Sequence, residues 1–121
     1  PDGGSTWLLP RLIGFRRTQE LIFENRELSA QEAVEWGLAT RTANQGTALD
    51  TAIKQAQSMA SGPTMAFASA KKMLETTFAN DFVAQTDIET QEISANMAGH
   101  DGKEGIDAFI NKRKPNFKGV R

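Results

Sequence analysis

The sequence predicts a mostly α-helical fold: about seven short helices and at most one short strand. Three observations predict it. Apolar residues recur at helical spacing along most of the chain, Ser and Asp cap signals open several of those stretches, and Gly or Pro closes them. With 121 residues, 39% of them hydrophobic and 24% charged, the chain is one domain's worth of ordinary globular composition.

The elements follow in order. Pro1-Asp2-Gly3-Gly4 is loop chemistry. Ser5 to Ile13 places Trp7, Leu8, Leu12 and Ile13 at helical spacing, with Pro10 expected to kink or break it and Gly14 to end it. Phe15 to Asn25 follows, with Leu21, Ile22 and the stem of Arg17 sharing a face. Ser29-Ala30-Gln31-Glu32 reads as a capping box, opening a helix that runs to Trp36 and stops at Gly37. Leu38 to Thr42 is the one candidate strand.

Thr47 to Ser61 is the clearest amphipathic stretch, with Leu49, Ala52, Ile53, Ala56, Met59 and Ala60 on one stripe. Gly62-Pro63 ends it, and Pro63 suits the first turn of the next helix, roughly to Phe78. Asn80 and Asp81 supply a cap for Phe82 to Met97. Gly99-His100-Asp101-Gly102 breaks the chain, and Asp101 with Glu104 is expected to cap the last helix. That helix carries Ile106, Phe109 and Ile110 on its apolar stripe and is stopped by Pro115.

A formal net charge of −1 gives no global electrostatic case for nucleic acid, and no apolar run approaches a membrane span. The absence of cysteine excludes disulfides and thiolate metal sites, and it suits a reducing cytoplasm. With His100 the only histidine, no metal site is expected. The opening in mid-loop, without a lead-in element, reads as a fragment of a longer protein.

Three segments carry a resemblance. Pro1-Asp2-Gly3-Gly4-Ser5-Thr6-Trp7-Leu8-Leu9-Pro10-Arg11-Leu12-Ile13-Gly14 is similar to a P-x-[AG]-G-[GS]-T-x-x-L-x-R-x-x-G pattern. Leu28 to Ala39 resembles an S-A-x-E-A-x-x-x-G-L-V helix and turn. Lys103 to Phe117 is close to an E-G-x-x-A-F-x-x-K-R-x-P-x-F ending. In this order they resemble the enoyl-CoA hydratase/isomerase (crotonase) superfamily across the whole chain. The resemblance implies the C-terminal helical part of a crotonase (ClpP/crotonase-like) fold, with a ββα core and both oxyanion amides in a preceding half. It divides residues 1–121 into 1–46, the end of the catalytic core with its active-site loop, and 47–121, a helical layer for oligomerisation and CoA capping. A homo-oligomer, trimer or hexamer in the intact enzyme, is implied.

The resemblance also implies roles. Hydratases of the family carry two Glu upstream of this loop and Gly or Ala at the position of Asp2. An Asp there resembles the isomerase branch, particularly the phenylacetyl-CoA type, in which it shuttles the substrate proton; dihydroxynaphthoyl-CoA synthases share Asp-Gly-Gly. Asp2 is thus the candidate catalytic residue, and a turn Asp bonding its own Gly amides is the plain alternative. Lys112 is the candidate for the CoA phosphates, against a solvated cation at a helix C-terminus. Gly3 and Gly4 either present amides to an anion or simply allow the turn. Phe109 and Phe117 are expected in the core rather than as adenine platforms, and Met59, Met65, Met73 and Met97 as core filler. Trp7 and Trp36 are expected as packing anchors. Ile93 stands where relatives place an aromatic against CoA.

The expected function is a double-bond or epoxide isomerase acting on an acyl-CoA substrate through a thioester enolate, with no other cofactor and no activity in the isolated fragment. Enoyl-CoA hydratase is the alternative, and a non-catalytic helical interaction module is a rival of another class. A nucleic-acid contact through Lys112 to Lys118 is weaker still.

Overall fold

The computed structural model describes residues 1–120. It contains seven α-helices: α1 (Ser5–Ile13), α2 (Phe15–Glu24), α3 (Ala30–Glu35), α4 (Ala48–Ala60), α5 (Thr64–Thr76), α6 (Phe82–Ala98) and α7 (His100–Ile110). The described residues fall into two compact units, one ending at Thr51 and the other starting at Ala52.

In the first unit α1 packs against α2, separated only by Gly14 at φ 83°. Helix α1 continues through Pro10, so the expected break does not occur. The ring removes one amide donor, and the helix closes three residues later. The capping box of α3 forms as the sequence implies: Ser29 Oγ accepts from the Glu32 amide at 3.1 Å, and the Ser29 amide donates to Glu32 Oε2 at 3.1 Å. Gly37 follows in the left-handed region at φ 78°. Residues 38–42 form bends and open coil, and no strand occurs among the described residues. A strand needs a ladder partner, and the helices here offer no edge.

In the second unit α5 packs on α6 and α6 on α7. Asp81 caps α6, its Oδ1 accepting from the Ala84 amide at 2.8 Å. Gly99 alone separates α6 from α7. Helix α7 begins at His100, earlier than the expected Asp101 cap, so the proposed Asp101–Glu104 capping pair is overturned. Asp101 lies inside the first turn, and its buried carboxylate instead accepts the amides of Lys118 (2.8 Å) and Gly119 (2.7 Å). His100 Nδ1 sits 3.0 Å from the same carboxylate.

Apolar burial is sparse. Ile13 and Ala108 are the buried hydrophobic residues among those described. The methionines expected as core filler are half-buried at Met65 and Met73 and exposed at Met59 and Met97. Phe109 is 85% exposed, which corrects its expected core position; Phe117 is half-buried. Helical spacing places residues on one face of a helix, but only a partner element turns that face into core.

Candidate active-site loop and C-terminal cation

The first unit carries the loop built by Asp2, Gly3 and Gly4. Gly3 (φ 54°) and Gly4 (φ 84°) both adopt left-handed backbone, which a side chain rarely tolerates. That conformation turns the chain directly into α1: the Ser5 amide donates to the Asp2 carbonyl at 2.9 Å, and Trp7 and Leu8 amides donate to the Gly4 carbonyl. The turn is closed by the Asp2 main chain. The Asp2 side chain is exposed at the N-terminus of α1, which carries no side-chain cap. An anionic group is favoured there by the helix dipole.

Ser5, which the sequence reading did not single out, has a buried hydroxyl without a hydrogen-bond partner among the described residues. The only sequence signal was its place after the Gly pair. Trp7 is half exposed, with the Arg11 guanidinium 3.8 Å over its ring. Trp36 is half-buried, with the guanidinium groups of Arg17 and Arg26 each 4.9 Å from its ring centroid. Arg26 also bonds Glu20 (2.8 Å) and Glu32 (3.2 Å), tying α2 to the capping box.

The second unit carries Lys112. It is exposed and takes a left-handed backbone, φ 51°, just past the end of α7. On α7, which precedes it, the acidic groups are engaged. Glu104 is held by both Arg113 Nη atoms (2.7 and 2.8 Å) and by the Asn116 amide (2.6 Å). These donors favour its charged form and hold its pKa down to about 2, the Arg113 hydrogen bonds first and the Asn116 amide next. The Lys118 amide is the leading cause that lowers Asp101 as well.

A pH dependence follows. A carboxylate whose folded pKa is depressed contributes stability in full above its ordinary value, here 4.5, and loses it as pH falls toward about 2. Thermal melts should therefore show the melting temperature falling across that window. Glu104→Gln should flatten the fall, and an equally steep profile in the variant would refute the assignment.

Among the described residues no helix is long and apolar enough to cross a membrane, and no group of three or more His, Cys, Asp or Glu is gathered to hold a metal ion. In the same unit Pro63, Met65, Ile106, Phe109 and Phe117 line an apolar groove of about 360 Å³.

A left-handed Gly-Gly turn leading into α1, and helices with exposed apolar faces, are what the family resemblance implies for the helical part of a crotonase fold. The comparisons agree. The enoyl-CoA hydratase/isomerase family model matches residues 1–120, and the chain belongs to that family. It is 36% identical to the 1,2-epoxyphenylacetyl-CoA isomerase of Escherichia coli over 98% of its own length and 45% of that protein. It is 36% identical to the methylglutaconyl-CoA hydratase of Mus musculus, again over 98% of its length, covering 39% of that protein. Among solved structures, an enoyl-CoA hydratase from Bacillus anthracis superposes with a TM-score of 0.88 at 36% identity, over 98% of this chain and 46% of that one. One from Geobacillus kaustophilus superposes with a TM-score of 0.93 at 28% identity, over 98% of this chain and 46% of that one. The chain thus spans less than half the length of these relatives.

Proposed function

We propose that this chain is part of an enzyme that isomerises an enoyl-CoA, or an epoxide of one, through a thioester enolate, with Asp2 moving the proton. The observation that carries this reading is a carboxylate directly before the Gly-Gly turn, held at the start of α1 by its own main chain. In the reaction, Asp2 takes a proton from one carbon of the acyl chain while the electron pair moves into the thioester. For the double-bond isomer, the proton then returns to another carbon of the acyl chain, the electron pair comes back from the thioester to form the shifted double bond, and the carboxylate is regenerated. The similarity to an epoxyphenylacetyl-CoA isomerase supports the reading. Hydration of an enoyl-CoA is the second reading, favoured by a hydratase relative of equal identity. Proton exchange and turnover in Asp2→Asn separate the two.

In this reading residues 1–46 close the catalytic core, and 47–121 form the layer that caps CoA and joins subunits. The family resemblance puts the oxyanion amides in the portion of the relatives that the chain does not span, so the isolated chain should not turn over substrate. Stabilising the enolate oxygen is the largest single contribution in such chemistry. Trp7, Leu12, Phe15 and Phe23 are 50%, 54%, 68% and 77% exposed, and apolar surface of that extent drives association. The isolated chain should therefore self-associate in water, and light scattering that shows a clean monomer at high concentration would contradict this.

In this reading Lys112, exposed just past the end of α7, serves the CoA phosphates. Lys112→Ala in the enzyme carrying this chain should raise KM for acyl-CoA at low salt, with the effect shrinking as salt screens the pair. It should leave an acyl-pantetheine thioester, which has no phosphate, unaffected. An unchanged KM would return Lys112 to the role of a solvated helix-end cation.

A further inference from the structure

Lys112 is one of two non-glycine residues with positive φ among those described, the other being Asn25. Asn visits the left-handed region readily, whereas a Lys there is held by its surroundings. Two backbone bonds make the turn: the Lys112 amide donates to the Phe109 carbonyl at 3.2 Å, and the Arg113 amide to the Ala108 carbonyl at 3.0 Å. This is the Schellman end, in which the left-handed position is usually Gly. Chain reversal at Lys112 lets Arg113 fold back along α7. Its guanidinium grips both oxygens of Glu104, and Nη2 also donates to Asp107 Oδ2, one turn along the same helix.

We infer that Arg113 is a positioning residue for Lys112: its fork over Glu104 and Asp107 fixes the left-handed turn and keeps both carboxylates away from the Lys112 ammonium. The inference rests on the reading of Lys112 as the phosphate-binding cation. Without Arg113 two effects combine. The turn relaxes toward ordinary backbone, redirecting the Lys112 Cα–Cβ bond. Glu104 and Asp107 then become partners for the ammonium, which competes with an incoming phosphate. A lysine at position 113 keeps the charge but cannot hold a carboxylate by two parallel hydrogen bonds.

The test is a double-mutant cycle in the enzyme carrying this chain, reading KM for acyl-CoA and kcat separately at low salt. Arg113→Lys should raise KM by about two- to tenfold, the lower part of the range for coupling between neighbouring residues, with kcat unchanged. In the Lys112→Ala background the same substitution should change KM no further. Glu104→Gln, which weakens the grip but also removes one competing carboxylate, should raise KM less, with the same dependence on the Lys112 background, and guards against a folding defect in the Arg113 variant. An equal rise in KM in both backgrounds would mean that Arg113 acts without Lys112, and would overturn the inference. If Lys112→Ala alone leaves KM unchanged, the phosphate reading falls first, and the positioning role falls with it.

Discussion

Asp2→Asn should lower isomerisation by about a hundredfold to ten-thousandfold, the usual loss when a positioned general base is removed. Asn keeps the size of the side chain and most of its hydrogen bonding, but it cannot accept a proton from carbon. The turn itself should survive, because it is closed by the Asp2 carbonyl and by the left-handed Gly3 and Gly4 rather than by the carboxylate. Acyl-CoA affinity should stay nearly constant, since in this reading the phosphate contact belongs to Lys112. The measurement is turnover of wild type and variant together with solvent-deuterium exchange at the substrate carbon. If the variant keeps both rate and exchange, Asp2 is a turn residue and hydration becomes the better account.

Gly102→Ala should be the most damaging single methyl in the second unit. A Cβ at Gly102 would lie 2.2 Å from the Asn96 carbonyl oxygen and 2.6 Å from Met97 Cα. Both are backbone atoms, so no side chain can swing aside, and α7 must move off the end of α6. Overpacking of this kind costs about 3 kcal/mol at the upper end of its usual range. At roughly 3–6 °C per kcal/mol for a chain of this size, the melting temperature should fall by about 10 °C or more. Gly105→Ala is the control. Its Cβ would meet the Phe117 ring at 3.5 Å, an ordinary contact, and Ala gains about 0.5–1 kcal/mol over Gly inside a helix. Equal melting temperatures for wild type and Gly102→Ala would show that the helix crossing is not tight.

Several features were legible residue by residue. The Ser29–Glu32 capping box is legible because both partners lie within one turn, so local spacing alone decides the bonds. The same holds for the Asp81 cap and for Gly37 at the end of α3. The left-handed turn after Asp2 follows from a Gly pair, since few other residues take that backbone. Asp101 shows where local reasoning stops. Asp101 and Glu104 have capping-box spacing, but their carboxylates go to partners far along the chain, Lys118, Gly119, Arg113 and Asn116. No spacing rule anticipates a carboxylate that finds amides 17 and 18 residues away.

The sequence by itself determined the helices, the Ser29 and Asp81 caps, the family pattern and the placing of Asp2 before a Gly-Gly turn. Each depends on neighbours within a few residues, where backbone geometry leaves little choice. Tertiary structure alone decided which apolar stripes are covered, and Phe109, with every mark of a core position, stands 85% exposed. It also decided that two arginines gather on Trp36, and that Arg113 engages the Glu104 and Asp107 carboxylates of α7. The physical reason is the same in each case: periodicity says which side of a helix is apolar, whereas burial and ion pairing require a second element, whose position is set by the packing of the chain.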